Sequence, residues 1–572
     1  MANGMSFSGV KNWFAHNAKL LVVCFAVGMI CHAQMYLNGL SNPDAVVSLS
    51  NPNGYGSFTP HAWDMSLGRW GLLFPAYAKF GLCSPILTSA IAIALFALGI
   101  VALIDRLGVK RACLRYVSSI LFIASPFVSC CITYYYCSNS YALSFLCAVL
   151  AVCLIGRVGA VGKPVALVGA VALLAFSLGC YQASLGVFCV AVLLVMVRSL
   201  MGGGSELLAS LARDARGAET QYSGSEGGSS ASPFSAKQFA VFIGVAVAVC
   251  AAGAVLYYAL TELSLSVMGI GLSAYGGASS VGAGSILGSL TSSVPSAYAA
   301  FFDGFFSHGI FGNHFAWVYV AAIGMAVTAV AFIGLVATVG VKRLGASAVA
   351  LLCIALIPLA ANIILVIVPS YGYPTPLMLG GFMVSFLLLP LLVQLLIDSP
   401  DWGNSRLRVP MKAMSVGCCC LIAVGAWSYA LQSNADAEVM QACQNQTASL
   451  ATRIADVLDA NPDVQAGAKV LIAGKPEAGN YPNTSDSYAH ASSYAKWGMV
   501  WGNHYQNNMR SWDVIMKQFA GQSFNYCSFD ECAKVIRSSE FASMPLYPAN
   551  DSVATIDGVV VVKISDISKY SE

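Results

Sequence analysis

Two carboxylates and one guanidinium stand close together in a polar stretch between the first two hydrophobic runs of this 572-residue chain. Asp44 lies in Asn42-Pro43-Asp44-Ala45, and Asp64 and Arg69 lie in Trp63-Asp64-Met65-Ser66-Leu67-Gly68-Arg69-Trp70. A carboxylate within hydrogen-bond reach of a hydroxyl can take its proton while that oxygen attacks an electrophile. An arginine meets a phosphate with two parallel N–H donors and stabilises the charge that grows on it as it departs. Acids and an arginine at a membrane surface therefore suit group transfer from a lipid phosphate better than they suit a pore. Each residue also has a plain structural reading, with Asp64 as a helix N-cap and Arg69 as a snorkelling side chain beside an interfacial Trp70.

The surrounding elements decide where these groups sit. With 57% hydrophobic and only 10% charged residues and a mean hydropathy of +0.71, the chain is a polytopic membrane protein. Runs long enough to cross a ~30 Å hydrocarbon core fall near residues 18–38, 85–104, 116–134, 141–157, 164–180, 183–200, 238–260, 314–338, 345–368, 377–398 and 413–431, which predicts eleven helices. The first lacks a small-residue cleavage site and is expected to stay in the mature protein. Lys163 to Arg198 has no internal charge and is too long for one span, so it is predicted to double back at Gly179-Cys180-Tyr181-Gln182.

Placing the amino terminus in the cytoplasm collects Lys11, Lys19, Arg106, Lys110, Arg111, Arg115, Arg157, Lys163, Arg198, Arg213, Arg216, Lys237, Lys342, Arg343, Arg406, Arg408 and Lys412 on the inner side. The outer segments before the tail keep only Arg69 and Lys79. This asymmetry predicts that loop 39–83 and the carboxyl-terminal tail are extracytoplasmic. The net charge of +3 gives no reason to expect nucleic acid as a partner.

The predicted fold class is mainly α: a polytopic membrane helix bundle over residues 1–431, followed by a small extracytoplasmic α/β domain over 432–572. Inside the bundle, the Gly/Ser-rich inner loop 201–237 reads as a flexible tether. In the tail, 441–458 reads as a helix, and Lys469–Ala473 and Val559–Ile564 read as buried strands. Cys527 and Cys532 form a candidate disulfide facing an oxidising exterior. Most of the remaining cysteines lie in apolar runs and act as small hydrophobes, with no zinc-like spacing against histidine, so no metal site is predicted.

Outside the tail, the outer face offers few ionisable groups: Asp44, His61, Asp64, Arg69, Lys79, Glu262, Asp303, His308 and His314. An outward-facing centre must draw on them. Tyr181 and Gln182 would add hydrogen bonds at a helix end. The aromatic, glycine-rich segment 268–314, with Asp303, His308, Asn313 and His314, would close over an acceptor, while Phe301, Phe302, Phe305 and Phe306 read as an interfacial helix dipping into lipid.

The first-loop acid, the Trp-Asp-Met-Ser-Leu-Gly-Arg-Trp segment, the later Gly-Cys-Tyr-Gln turn and the many-helix body with an exterior tail together resemble the GtrII-type glucosyltransferases, membrane enzymes of the GT-C superfamily. The likeness covers about residues 10–430. It implies transfer of a hexose, commonly glucose, from a polyprenyl-phosphate sugar to a cell-surface glycan on the outer face of a bacterial-type cell membrane. No cofactor is assigned beyond the polyprenyl-phosphate sugar as donor substrate, and a divalent metal is left open without support from the sequence. Members often carry a paired Asp-Asp in the first loop where this chain has one acid, so the base is Asp44 or Asp64. Arg69 is the expected phosphate ligand, with Trp70, Tyr181, Gln182, Asp303, His308 and His314 as further substrate-binding candidates. Direct attack without a covalent sugar intermediate would invert the anomeric centre. The alternative is a transporter or flippase of a lipid-linked sugar. Span interiors almost free of ionisable groups, with His32 the exception, and the lack of repeated halves count against it.

Overall fold

A computed structural model describes residues 7–48, 60, 62–155, 163–202, 236–273, 283–307, 310–312, 315–339, 344–368, 374–399, 405–476, 486–502 and 505–567. Among them, nine helices are long and apolar enough to cross a bilayer, or ten if one bent pair counts as a single span. The expected eleven full-length spans are corrected at two places. Run 116–134 divides into helices Ala112–Ile123 and Pro126–Thr133, bent by 40°. The cause is Pro126, which lacks an N–H and holds Ser125 extended at ψ 150°. Run 164–180 is a shorter apolar helix, and it turns at Tyr181-Gln182 into Ser184–Met201 as expected. Of the inner loop 201–237, residues 203–235 lie outside the described residues.

The charge asymmetry has a structural counterpart. Helix Pro85–Arg106 leaves the polar loop and ends at Arg106, and Ser184–Met201 leaves the Tyr181 turn and carries Arg198 in its last turn. There the Arg198 guanidinium donates to the Arg106 carbonyl at 2.5 Å, and Arg115 pairs with Asp105 at 2.5 Å. The cations thus gather at the end of the bundle opposite the polar loop and the Tyr181 turn. Between the two ends, Phe96, Phe122, Phe127 and Phe145 pack ring against ring, Phe122 on Phe145 at 4.8 Å.

The final span and the first helix of the tail are one element. Helix Ser405–Asp459 runs for 55 residues, roughly 80 Å at 1.5 Å per residue. The boundary placed between residues 431 and 432 therefore falls inside a helix. Ala437, Val439, Met440 and Cys443 on it, with Ala491, Tyr494 and Ala495 from the tail, belong to the same apolar core as the bundle. Asp436 fastens this junction: fully buried, it accepts from the Ser492 amide (2.6 Å), the Ser492 hydroxyl (2.8 Å) and the Gln432 side-chain amide (3.0 Å).

Beyond the junction lies a three-stranded sheet ordered β1-β3-β2, with β1 at Lys469–Ala473, β2 at Val553–Ile556 and β3 at Val559–Lys563. β3 lies parallel to β1 and antiparallel to β2. The β2–β3 connection is Asp557-Gly558, both at positive φ, a pairing that favours a tight hairpin. β1 and β3 match the expected strands, whereas β2 went unread despite its Asp-Gly signal. Cys527 and Cys532 are free thiols hydrogen-bonded to each other.

Candidate active site

The arginine-bearing segment is built by short-range turns. Helix Ala62–Ser66 ends at Gly68, which takes φ +72° and lets the Arg69 amide reach back to the Asp64 carbonyl at 3.1 Å. Asp64 and Arg69, five positions apart, are thereby brought to one turn. Three contacts fix that turn on the bundle. Gln182 donates to the Leu67 carbonyl (2.6 Å) and to the Tyr257 hydroxyl (2.9 Å), and the Ser273 amide donates to the Ser66 carbonyl (2.8 Å).

The two sequence features singled out above also touch each other. Trp70, 8% exposed, lies over Gly179, and Gly71 abuts the backbone of Gly179 and Cys180. A Cβ at Gly179 would stand 2.5 Å from the Trp70 ring, and one at Gly71 would stand 2.6 Å from the Cys180 nitrogen. No side chain fits at either place. Gly71→Ala is therefore expected to cost about 1–3 kcal/mol of stability. The check is the thermal midpoint of purified protein in detergent, and an unchanged midpoint would mean that the segment yields without cost. Trp70 is accordingly a packing residue rather than an interfacial anchor.

Asp44 comes from a separate piece of chain. Asn42 caps helix Pro43–Ser48, accepting from the Ala45 amide at 2.9 Å, and donates to the Thr133 hydroxyl at 3.0 Å, which seats the helix on the end of Pro126–Thr133. The Asp44 carboxylate accepts hydrogen bonds from the Tyr134 hydroxyl and the Trp501 indole. Arg69 and Asp64 both act on it electrostatically, and Arg69 likewise feels Asp64. The three groups thus share one site at the end of the bundle. Burial pushes the Asp44 carboxyl above the usual carboxylate range. Arg69 and the hydrogen bonds from Trp501 and Tyr134 oppose that rise, and the negative charge of Asp64 adds to it.

A tyrosine wall lines this site. Tyr134, Tyr141 and Tyr181 pack in sequence, at 5.7 Å and 4.8 Å between ring centroids, and the Arg69 guanidinium stands 5.6 Å from the Tyr181 ring. Tyr136 lies within electrostatic range of Asp44, Asp64 and Arg69, and its carbonyl accepts from the Lys79 ammonium at 2.6 Å. The Arg69 Nε is buried with no hydrogen-bond partner among the described residues. An unmatched guanidinium edge beside two carboxylates and several phenols is a place for an anionic oxygen.

The remaining candidates divide. Tyr181 lies in the cluster, and Gln182 holds the arginine turn through its amide nitrogen. Asp303 sits on helix Ala283–Phe306, whose main neighbours are the helices over 317–339, 357–361 and 363–367. His61, His308, Asn313 and His314 lie outside the described residues. On helix Ala283–Phe306, Phe301 and Phe305 turn inward onto Phe382 while Phe302 and Phe306 stay exposed, so only half of that aromatic group faces outward. Tyr134, Tyr136, Tyr141 and Trp501 went unread as site residues. Three consecutive tyrosines at the end of a predicted span were the available signal for the wall; Trp501 offered none.

The architecture defines a multi-pass membrane protein with a carboxylate–arginine site under a wall of tyrosines. Residues 56–213 match the family model described as Glucosyl transferase GtrII. Over that segment the chain is similar to the GtrII-type glucosyltransferases, a family that implies a glycosyltransferase with a sugar donor and a glycan acceptor. The matched segment holds Asp64, Arg69, Trp70, the tyrosine wall, Tyr181 and Gln182, and begins after Asp44. No curated protein and no solved structure matches the chain.

Proposed function

We propose that the site is a GT-C-type, inverting hexosyltransferase centre. It moves a sugar, with glucose as the first candidate, from a polyprenyl phosphate to a cell-surface glycan on the outer face of the membrane. Asp44 is the base that deprotonates the acceptor hydroxyl, and Arg69 receives the lipid phosphate as it leaves. The observation that carries this reading is the convergence of Asp44 from its own short helix and of Asp64 and Arg69 from a second turn onto one cluster with an unmatched guanidinium Nε. Asp44 is favoured over Asp64 because, though largely buried, it keeps partial exposure, whereas Asp64 is 5% exposed. Only a carboxylate that reaches the open space can meet an acceptor. The cation-rich end of the bundle lies opposite the site, which by the positive-inside rule supports an outward-facing centre.

The test is transfer of labelled sugar from a polyprenyl-phosphate donor to glycan by membranes containing the protein. Absence of transfer with every hexosyl donor offered would remove the proposal. The pH profile supplies a second check. A base must be ionised, and the folded protein raises the Asp44 value, so kcat/KM is expected to fall on acidification through a limb above the ordinary carboxylate value. A limb at or below that value would point to another group.

A further inference from the structure

Asp44 and its hydrogen-bonding partner Trp501 come from opposite ends of the chain. Trp501 belongs to the tail, and its backbone is held on both sides. Its amide donates to the Ser511 hydroxyl at 3.3 Å, and its carbonyl accepts from the Asn508 side chain at 2.8 Å. Asn508 is fully buried, and it also bonds both backbone groups of Gly474, just beyond β1, at 3.2 Å and 2.8 Å. The indole is therefore carried by a rigid frame of helix Tyr505–Ile515 and the sheet. The same helix packs against helix Pro43–Ser48. Val46, two residues beyond Asp44 and 1% exposed, is buried in the tail's own core with Met499, Val500 and Trp512.

We propose that the carboxyl-terminal domain is part of the catalytic centre, with Trp501 as a positioning residue that orients the Asp44 carboxylate toward the acceptor hydroxyl. The inference rests on the reading of Asp44 as the base. A carboxylate has about four lone-pair directions; the Trp501 N–H and the Tyr134 O–H occupy two of them, which fixes the rotamer and leaves the others to substrate. Docking of the domain through Val46 and alignment of the base through Trp501 happen on the same short helix. The tail is thus not a detached module.

The test compares Trp501→Phe and Trp501→His with Asp44→Asn in the full chain, each confirmed monodisperse after purification. Phenylalanine keeps the ring volume and removes the N–H; histidine restores a ring N–H. Loss of a hydrogen bond that favours the charged carboxylate should raise its pKa, so in W501F the acid limb of kcat/KM should move up by about one pH unit. In the same variant kcat should fall about ten-fold with the donor KM unchanged. W501H should recover most of kcat. If D44N is inactive while W501F keeps the wild-type kcat and acid limb, the positioning role is overturned and the base assignment stands. If W501H is as impaired as W501F, the N–H has no part and the inference fails in the same way. If D44N is active, the base assignment falls and the inference with it.

Discussion

Asp44→Asn is expected to lower kcat by about 10²- to 10⁴-fold, the range that a positioned general base supplies. Asparagine preserves shape and can still accept from Trp501 and Tyr134, so abundance and thermal midpoint should stay near wild type while proton abstraction is lost. Asp64→Asn is the informative partner. Asp64 shares its turn with Arg69 and lies in the electrostatic range of both Arg69 and Asp44. Its neutralisation should therefore act on the orientation of Arg69 and the acidity of Asp44, giving a smaller loss. The two variants are measured side by side as labelled sugar transferred per unit of folded protein. Retained transfer in D44N together with collapse in D64N would reassign the base to Asp64.

The pair of acids was legible in the sequence because they occupy one polar stretch between apolar runs, and the Asp64–Arg69 relation is local enough for a Gly68 turn to dictate. The helical bundle was legible for the same kind of reason, since hydropathy reports burial in lipid directly. What hydropathy does not report is continuity. Pro126 breaks a run that reads as one apolar stretch, and helix Ser405–Asp459 continues through a change from apolar to polar composition that reads as a boundary. Close approaches were also out of reach: that Gly71 must face Cys180 follows only once the turn at Tyr181-Gln182 is folded against the first loop. The hardest residue was Trp501. Its contact with Asp44 depends on the whole tail docking, and aromatic residues are common enough that one more in a polar domain carries no signal.

Arg69→Gln is expected to cost about 10²- to 10³-fold in kcat, the usual loss when one fixed donor is removed from a developing oxyanion. Arg69→Lys should recover part of it. The reason for the split lies in the surroundings of the guanidinium, which stands 5.6 Å from the Tyr181 ring centroid and keeps a buried Nε without a hydrogen-bond partner among the described residues. A lysine supplies charge but neither the fork nor the stacking surface. The same substitution has a second consequence of fixed sign. Arg69 holds the Asp44 carboxyl lower than burial alone would, so R69Q should move the acid limb of kcat/KM to higher pH, and R69K, which keeps the charge, should move it less. Donor affinity and kcat measured across pH for both variants separate the roles: a phosphate ligand lowers kcat at every pH, whereas a mere neighbour of Asp44 lowers it only near the limb. Unchanged donor affinity in R69K with full kcat above the limb would leave Arg69 as an electrostatic neighbour of the base and remove it from the phosphate.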